Sequence, residues 1–199
     1  MKLNWVERLV VNNPLRLMEQ HLIARWFKAM HDQPSGCRIL EIGCGRGAGA
    51  RLILNKFEPE HLYLLDLDQR MIKSARGYLT PAEKNEVSFY VGDAVDLPFG
   101  SAFMDAVFGF GFLHHVPVWR TGLREITRVL KPGGTYYLEE LYPSLYQNLI
   151  TKRLLVHPDC DRFSSQDLKD ALQAAGLRLE HTFELKKLGI LAVATKARS

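Results

Sequence analysis

Three cysteines in 199 residues, none of them in a Cys-x-x-Cys pair, give no basis for a disulfide framework or a zinc knuckle. Their odd number (Cys37, Cys44 and Cys160) fits a reducing compartment. No cluster of His, Cys and acid stands at metal-ligand spacing either, so no metal is expected. Long apolar runs are also missing. Residues 106–113 and 188–194 fall far short of the ~20 residues of a membrane span. The first thirteen residues carry Glu7 and lack an apolar core ending in small residues, so the expectation is no secretory signal and a cytoplasmic location. Excess charge of one sign is small: 26 Lys and Arg against 22 Asp and Glu leave +4, spread as single residues or pairs such as Lys186-Lys187. Without a clustered basic face, a nucleic-acid partner is not expected. What remains, 47% apolar and 24% charged residues with no repeat, suits a globular chain of one domain.

The chain reads as alternating elements. Asn13-Pro14 is a helix start, after which Leu15, Met18, Leu22, Trp26 and Met30 form one apolar stripe. Pro34-Ser35-Gly36 ends this stretch, dividing a helical leader or lid, 1–37, from an α/β domain, 38–199. Strands are expected at 38–42, 62–66, 87–91, 106–110, 135–141, 178–185 and 188–195. Helices fall between them: one through Leu52 and Ile53, and one capped by Asp68 with Met71, Ala75, Tyr78 and Leu79 on its stripe. Another carries Trp119, Leu123, Ile126 and Leu130 and ends at Lys131-Pro132-Gly133-Gly134. A late helix covers 165–175, with Gly176 just past its end. The pattern predicts a doubly wound α/β fold: a mostly parallel, seven-stranded sheet with helices on both faces. The last strand is antiparallel, because its link is too short for a crossover.

The segment Ile39-Leu40-Glu41-Ile42-Gly43-Cys44-Gly45-Arg46-Gly47 takes a strand into a glycine-rich turn that opens a helix. Glycine lets backbone approach a ligand, and the helix N-terminus favours an anionic group. Gly43, Gly45 and Ala48 also spell a dinucleotide fingerprint, so the glycines alone do not choose the ligand. Asp66 closes the second strand, where an acid can accept both ribose hydroxyls. Asp68 better suits a helix cap. Asp93 follows the third strand, where its carboxylate can accept from an exocyclic amine while the Ala94 N–H donates to a ring nitrogen. Cys44 lies within the loop, where an accessible thiol would let a thiol reagent block binding.

With these segments, the chain resembles the class I S-adenosylmethionine-dependent methyltransferases, in particular the small-molecule group with a Leu-His-His segment. The resemblance rests on Glu41–Gly47, Leu65-Asp66-Leu67-Asp68, Gly92-Asp93-Ala94 with Leu97-Pro98-Phe99, Phe103–Val107, Leu113-His114-His115 and Leu130–Gly134. It implies S-adenosylmethionine as cofactor. Glu41 and the backbone of Gly43, Cys44 and Gly45 would hold the methionine end, with the Gly109–Phe110 backbone facing the amino group. Asp66 would take the ribose hydroxyls, Leu67 and Met71 would lie against adenine, and Asp93 and Ala94 would read its edge. Arg46 departs from the small residue common in the family; it either pairs with the cofactor carboxylate or points to solvent.

His114 and His115 are the candidate acid–base residues, following the fourth strand at the crevice end of the sheet. Alternation in extended chain would point only one of them, His115, into the site. Glu139 and Glu140 end the fifth strand and could reach the same crevice, one of them as a surface charge. The residues after strand four are Phe110-Gly111-Phe112, not the Asn/Asp-Pro-Pro-Tyr/Phe segment of amino-group enzymes acting on bases or glutamine. A small, partly apolar methyl acceptor is therefore expected, reacting through O, N or C. The leader helix and residues 142–163 would form its lid. Two other classes share part of this pattern: a nicotinamide oxidoreductase, which leaves Asp93-Ala94 unexplained, and a binding protein without turnover.

Overall fold

A computed structural model describes residues 14–33, 35–143 and 162–198. Asn13, Pro34, Cys160 and most of the expected lid at 142–163 lie outside the described residues, as does the side chain of Leu15. The elements in order are α1 (Pro14–Met30), β1 (Arg38–Ile42), α2 (Ala48–Phe57), β2 (His61–Asp66), α3 (Gln69–Tyr78) and α4 (Pro81–Lys84). There follow β3 (Val87–Val91), β4 (Met104–Phe110), α5 (Trp119–Val129), β5 (Leu130–Leu141), α6 (Ser165–Ala174), β6 (Leu177–Leu185) and β7 (Gly189–Lys196). The seven strands form one sheet in the order β3-β2-β1-β4-β5-β7-β6. All pairings up to β4–β5 are parallel, and β7 runs antiparallel to both β5 and β6.

Both faces of the sheet are covered, so the central strands are mostly apolar on successive residues rather than alternately, with Glu41, Glu139 and Glu140 as buried acids among them. On one face Ile39, Leu64, Phe108 and Tyr137 pack with Phe27 of α1, Ile53 and Phe57 of α2, and Ala75 of α3. On the other, Leu40, Val107, Tyr136 and Leu138 pack with Trp119, Leu123 and Ile126 of α5 and Leu168 of α6. Phe27, Phe108 and Tyr137 form an aromatic knot, with Tyr137 stacked 4.3 Å from Phe108 and edge-on to Phe27. Among the described residues, no helix is long and apolar enough to cross a membrane.

Three local expectations are corrected. In α1 the buried face is Ile23, Ala24 and Phe27, whereas Met18 and Leu22 of the expected stripe are 66% and 63% exposed. Two apolar rows share this helix: the sheet buries the Ile23–Phe27 row, and Trp26 and Met30 of the other row pack only partly against it. A short helix, α4, follows Leu79, set by a Thr80–Glu83 capping box. β5 starts at Leu130, five residues early, because Leu130 pairs with Met104 before a bulge restores the register at Thr135. Gly133, at φ +78°, makes that excursion possible.

Candidate functional site

The carboxyl ends of β1, β2, β3 and β4 open onto a cavity of about 310 Å³. The chain leaves β1 through Gly43, Gly45 and Gly47, all with left-handed backbones at φ +72°, +51° and +88°. Gly43 is required twice over, since a Cβ there would also lie 2.7 Å from the Phe112 Cβ. Gly45 opens onto free space: a Cβ built on it meets nothing within 4 Å.

Asp66 ties this loop to β2. Its Oδ2 accepts from the Gly45 N–H at 3.0 Å and its Oδ1 from the Asp68 N–H at 2.8 Å. Burial pushes the Asp66 carboxyl up, more than those two backbone donors pull it down. Asp68 takes the capping role, accepting from Arg70 N–H at 3.0 Å and pairing with its guanidinium at 2.7 Å. Leu67 and Met71 stand beside Asp66 on the same wall. Asp93 and Ala94 face them from the end of β3, with Asp93 Oδ1 accepting from the Val95 N–H. Phe110, Gly111, Phe112 and His115 supply the wall from β4.

Glu41 lies behind the loop rather than on the cavity wall. It is 2% exposed, and its Oε2 has no hydrogen-bond partner among the described residues. Burial first, and the Asp66 charge second, push its carboxyl well above the ordinary range. Gly49 makes room for it, since a Cβ there would fall 2.1 Å from Glu41 Oε1. A buried carboxylate without a donor fits a site completed by a cationic group, such as the amino group of the cofactor implied by the resemblance.

The pH dependence follows from this orphan. A carboxyl whose folded pKa is raised binds its proton more tightly when folded. Stability is then full below the unfolded value of about 4.3 and is lost as pH rises through the folded value. Glu41→Gln should leave the midpoint unchanged near pH 4 and raise it at pH 7–8, by about 2–4 °C if ~1 kcal/mol is recovered. Thermal scans of both proteins across pH check this; a difference that is flat in pH would contradict it.

Cys44 does not line the cavity. Its thiol is 4% exposed, faces the core beside Ile53 and is pushed well up by burial, so the expected route for a thiol reagent is closed. Arg46 lays its guanidinium over the Tyr78 ring, 5.8 Å from the centroid.

The two histidines stand on a 3₁₀ turn, Leu113–His115, not on extended chain. What separates them is therefore not strand alternation but Glu140. This carboxylate is fully buried and accepts from the Leu113 N–H at 2.8 Å and the His114 N–H at 3.3 Å. His114 Nδ1 lies 2.8 Å from Glu140 Oε2, which draws that ring inward and leaves His115 on the cavity wall. Glu139 is also buried, held by Arg16 at 2.5 and 2.7 Å, so neither acid is a surface charge. Arg16, Glu139 and Glu140 are functional candidates whose pairing the sequence does not signal. No group of three or more His, Cys, Asp or Glu among the described residues could hold a metal ion.

Residues 40–138 match a protein family described as a methyltransferase domain. The fatty-acid O-methyltransferase of Mycolicibacterium smegmatis is 37% identical over 108 residues, covering 54% of this chain and 38% of that protein. The demethylmenaquinone methyltransferase of Listeria monocytogenes is 38% identical over 101 residues, covering 50% and 42%. The chain thus spans about two fifths of the length of these curated relatives. Among solved structures, a SAM-dependent methyltransferase from Aquifex aeolicus aligns over 98% of this chain and 99% of its own with a TM-score of 0.76. At 17% identity that likeness is one of fold.

Proposed function

Because this chain belongs, through residues 40–138, to the class I S-adenosylmethionine-dependent methyltransferases, we propose that it transfers a methyl group from S-adenosylmethionine to a small, partly apolar acceptor in the cytoplasm. The observation that carries this reading is one cavity shared by the Asp66-tethered glycine loop, Asp93-Ala94 and His115. Asp66 would bind the ribose hydroxyls with its remaining lone pairs, Leu67 and Met71 would press on adenine, and Asp93 and the Ala94 N–H would read its edge. Glu41, the Gly43–Gly45 backbone and the Phe110 backbone would hold the methionine end.

When bound, the cofactor supplies a methyl group on a cationic sulfur, an already activated centre. The task left to the chain is alignment, exclusion of water and, for a hydroxyl or amine acceptor, removal of a proton. His115 would take that proton, and His114, through Glu140, would position the turn. The leader helix α1 would form the lid side of the acceptor site. We propose a small-molecule acceptor rather than nucleic acid, and no metal.

The test is direct. The protein is incubated with methyl-labelled S-adenosylmethionine and a metabolite extract, and products are followed by mass spectrometry. A labelled small molecule is the expected result. Binding of a nicotinamide dinucleotide with no binding of S-adenosylmethionine would turn the reading over to an oxidoreductase.

A further inference from the structure

A second cavity, about 500 Å³, lies between α1 and the β6–β7 hairpin at the same end of the sheet. Leu22 and Trp26 of α1 form one side; Phe183, Leu185 and Leu188 form the other. These residues are costly to leave in water, yet Leu22 is 63% exposed, Phe183 and Leu185 50%, and Leu188 45%. The polar groups of the slot gather at one end, where Glu19, Glu139 and Glu140 line it. Arg16 crosses that end, donating to Glu19 at 2.9 Å and to both oxygens of Glu139. Gly111 belongs to the cavity of Asp66 and His115 and lies close to Arg16: a Cβ built on it would lie 3.5 Å from Arg16 Nη2 and 3.7 Å from His114 Cε1.

We infer that the slot binds the methyl acceptor, and that the acceptor is a long-chain neutral alcohol. The alkyl chain lies along Leu22, Trp26 and Phe183, with the hydroxyl at the Arg16–Glu139 end beside Gly111. The inference rests on the methyl-transfer reading for the purpose of the site, and on the slot alone for the ligand. Two carboxylates, Glu19 and Glu139, against one guanidinium make the polar end unfavourable for a fatty carboxylate, the Glu140 carboxylate being taken by the Leu113–His115 turn. A hydroxyl suits both kinds of partner, donating to a carboxylate and accepting from a guanidinium N–H.

Trp26 in the wall provides the readout. Titrating the full chain with 1-decanol should give a saturable change in tryptophan emission, and this should vanish in Trp26→Phe. Decanoate should bind at least tenfold more weakly. Leu22→Glu and Phe183→Ser, both at exposed positions, should each weaken decanol binding tenfold or more. Neither should alter the affinity for S-adenosylmethionine measured by calorimetry. Absence of saturable decanol binding in wild-type protein that still binds S-adenosylmethionine would overturn the inference. So would preference for decanoate, unchanged decanol affinity in both variants, or light scattering showing a second copy of the chain seated on the slot. Decanol binding without any S-adenosylmethionine binding would uphold the slot and overturn the methyl-transfer reading instead.

Discussion

Asp66→Ala should reduce affinity for S-adenosylmethionine by two to four powers of ten. Hydrogen bonds to a charged group contribute about 1.5–3 kcal/mol each, and two ribose hydroxyls would lose their acceptor, about 3–6 kcal/mol together. The substitution also releases the Gly45 N–H, which Asp66 holds at 3.0 Å, so the glycine loop loses its anchor as well. Asp68→Ala is the control. It removes a helix cap, about 1 kcal/mol of stability, and should leave cofactor affinity near the wild-type value. Calorimetry on both variants decides the register: a harmless Asp66→Ala beside a damaging Asp68→Ala would show that the ribose position is misassigned. Because burial raises the Asp66 carboxyl, acidification should weaken binding at a higher pH than an ordinary aspartate would produce.

His115→Ala should lower turnover by about 10²–10⁴-fold, the usual range for a positioned base, with cofactor affinity nearly unchanged. The acid limb of the pH–rate profile should disappear with it, since a neutral imidazole is needed to accept the proton. His114→Ala should act differently. His114 is 9% exposed and sits against Glu140, so its loss should lower thermal stability and disturb the turn rather than remove a proton acceptor. Steady-state kinetics separate the two roles. A His115→Ala protein with intact turnover at saturation but weakened cofactor binding would make His115 a binding residue.

The parts of this molecule visible in its sequence are those set by short-range rules. The glycine loop declares itself because positive φ and close approach at Gly43 leave no other residue free of strain. Asp68 is legible as a cap because it precedes a helical stripe, and Asp66 because a strand stops on it. The strands are legible in their apolar runs, although β5 begins five residues ahead of its run. The buried face of α1 is not legible, because periodicity finds an apolar row but cannot say which of two rows the sheet will cover. The adjacent acids on β5 were harder still. On a strand covered on both faces, each must be buried and each needs its own partner. Arg16 comes from 123 residues earlier in the chain and the Leu113–His115 turn from 26 or 27, distances at which local pattern carries no information. The same turn takes the two histidines out of strand alternation: of the pair, His115 lines the cavity, through Glu140 rather than through the pleat.

The insertion of β7 between β5 and β6 has a consequence for how the chain must be assembled. β5 finds its outer neighbour in residues 189–196, so during synthesis the strands β1 to β5 emerge with one long edge unpaired. β6, made before β7, has no partner at all until β7 arrives and pairs on both sides. The sheet therefore closes only after residue 196 has been made, late and from contacts distant in sequence, a slow order for a nascent chain. Until then the β5 edge, with its outer backbone groups over residues 135–141 unpaired, is the place where a stalled chain would aggregate or recruit a chaperone.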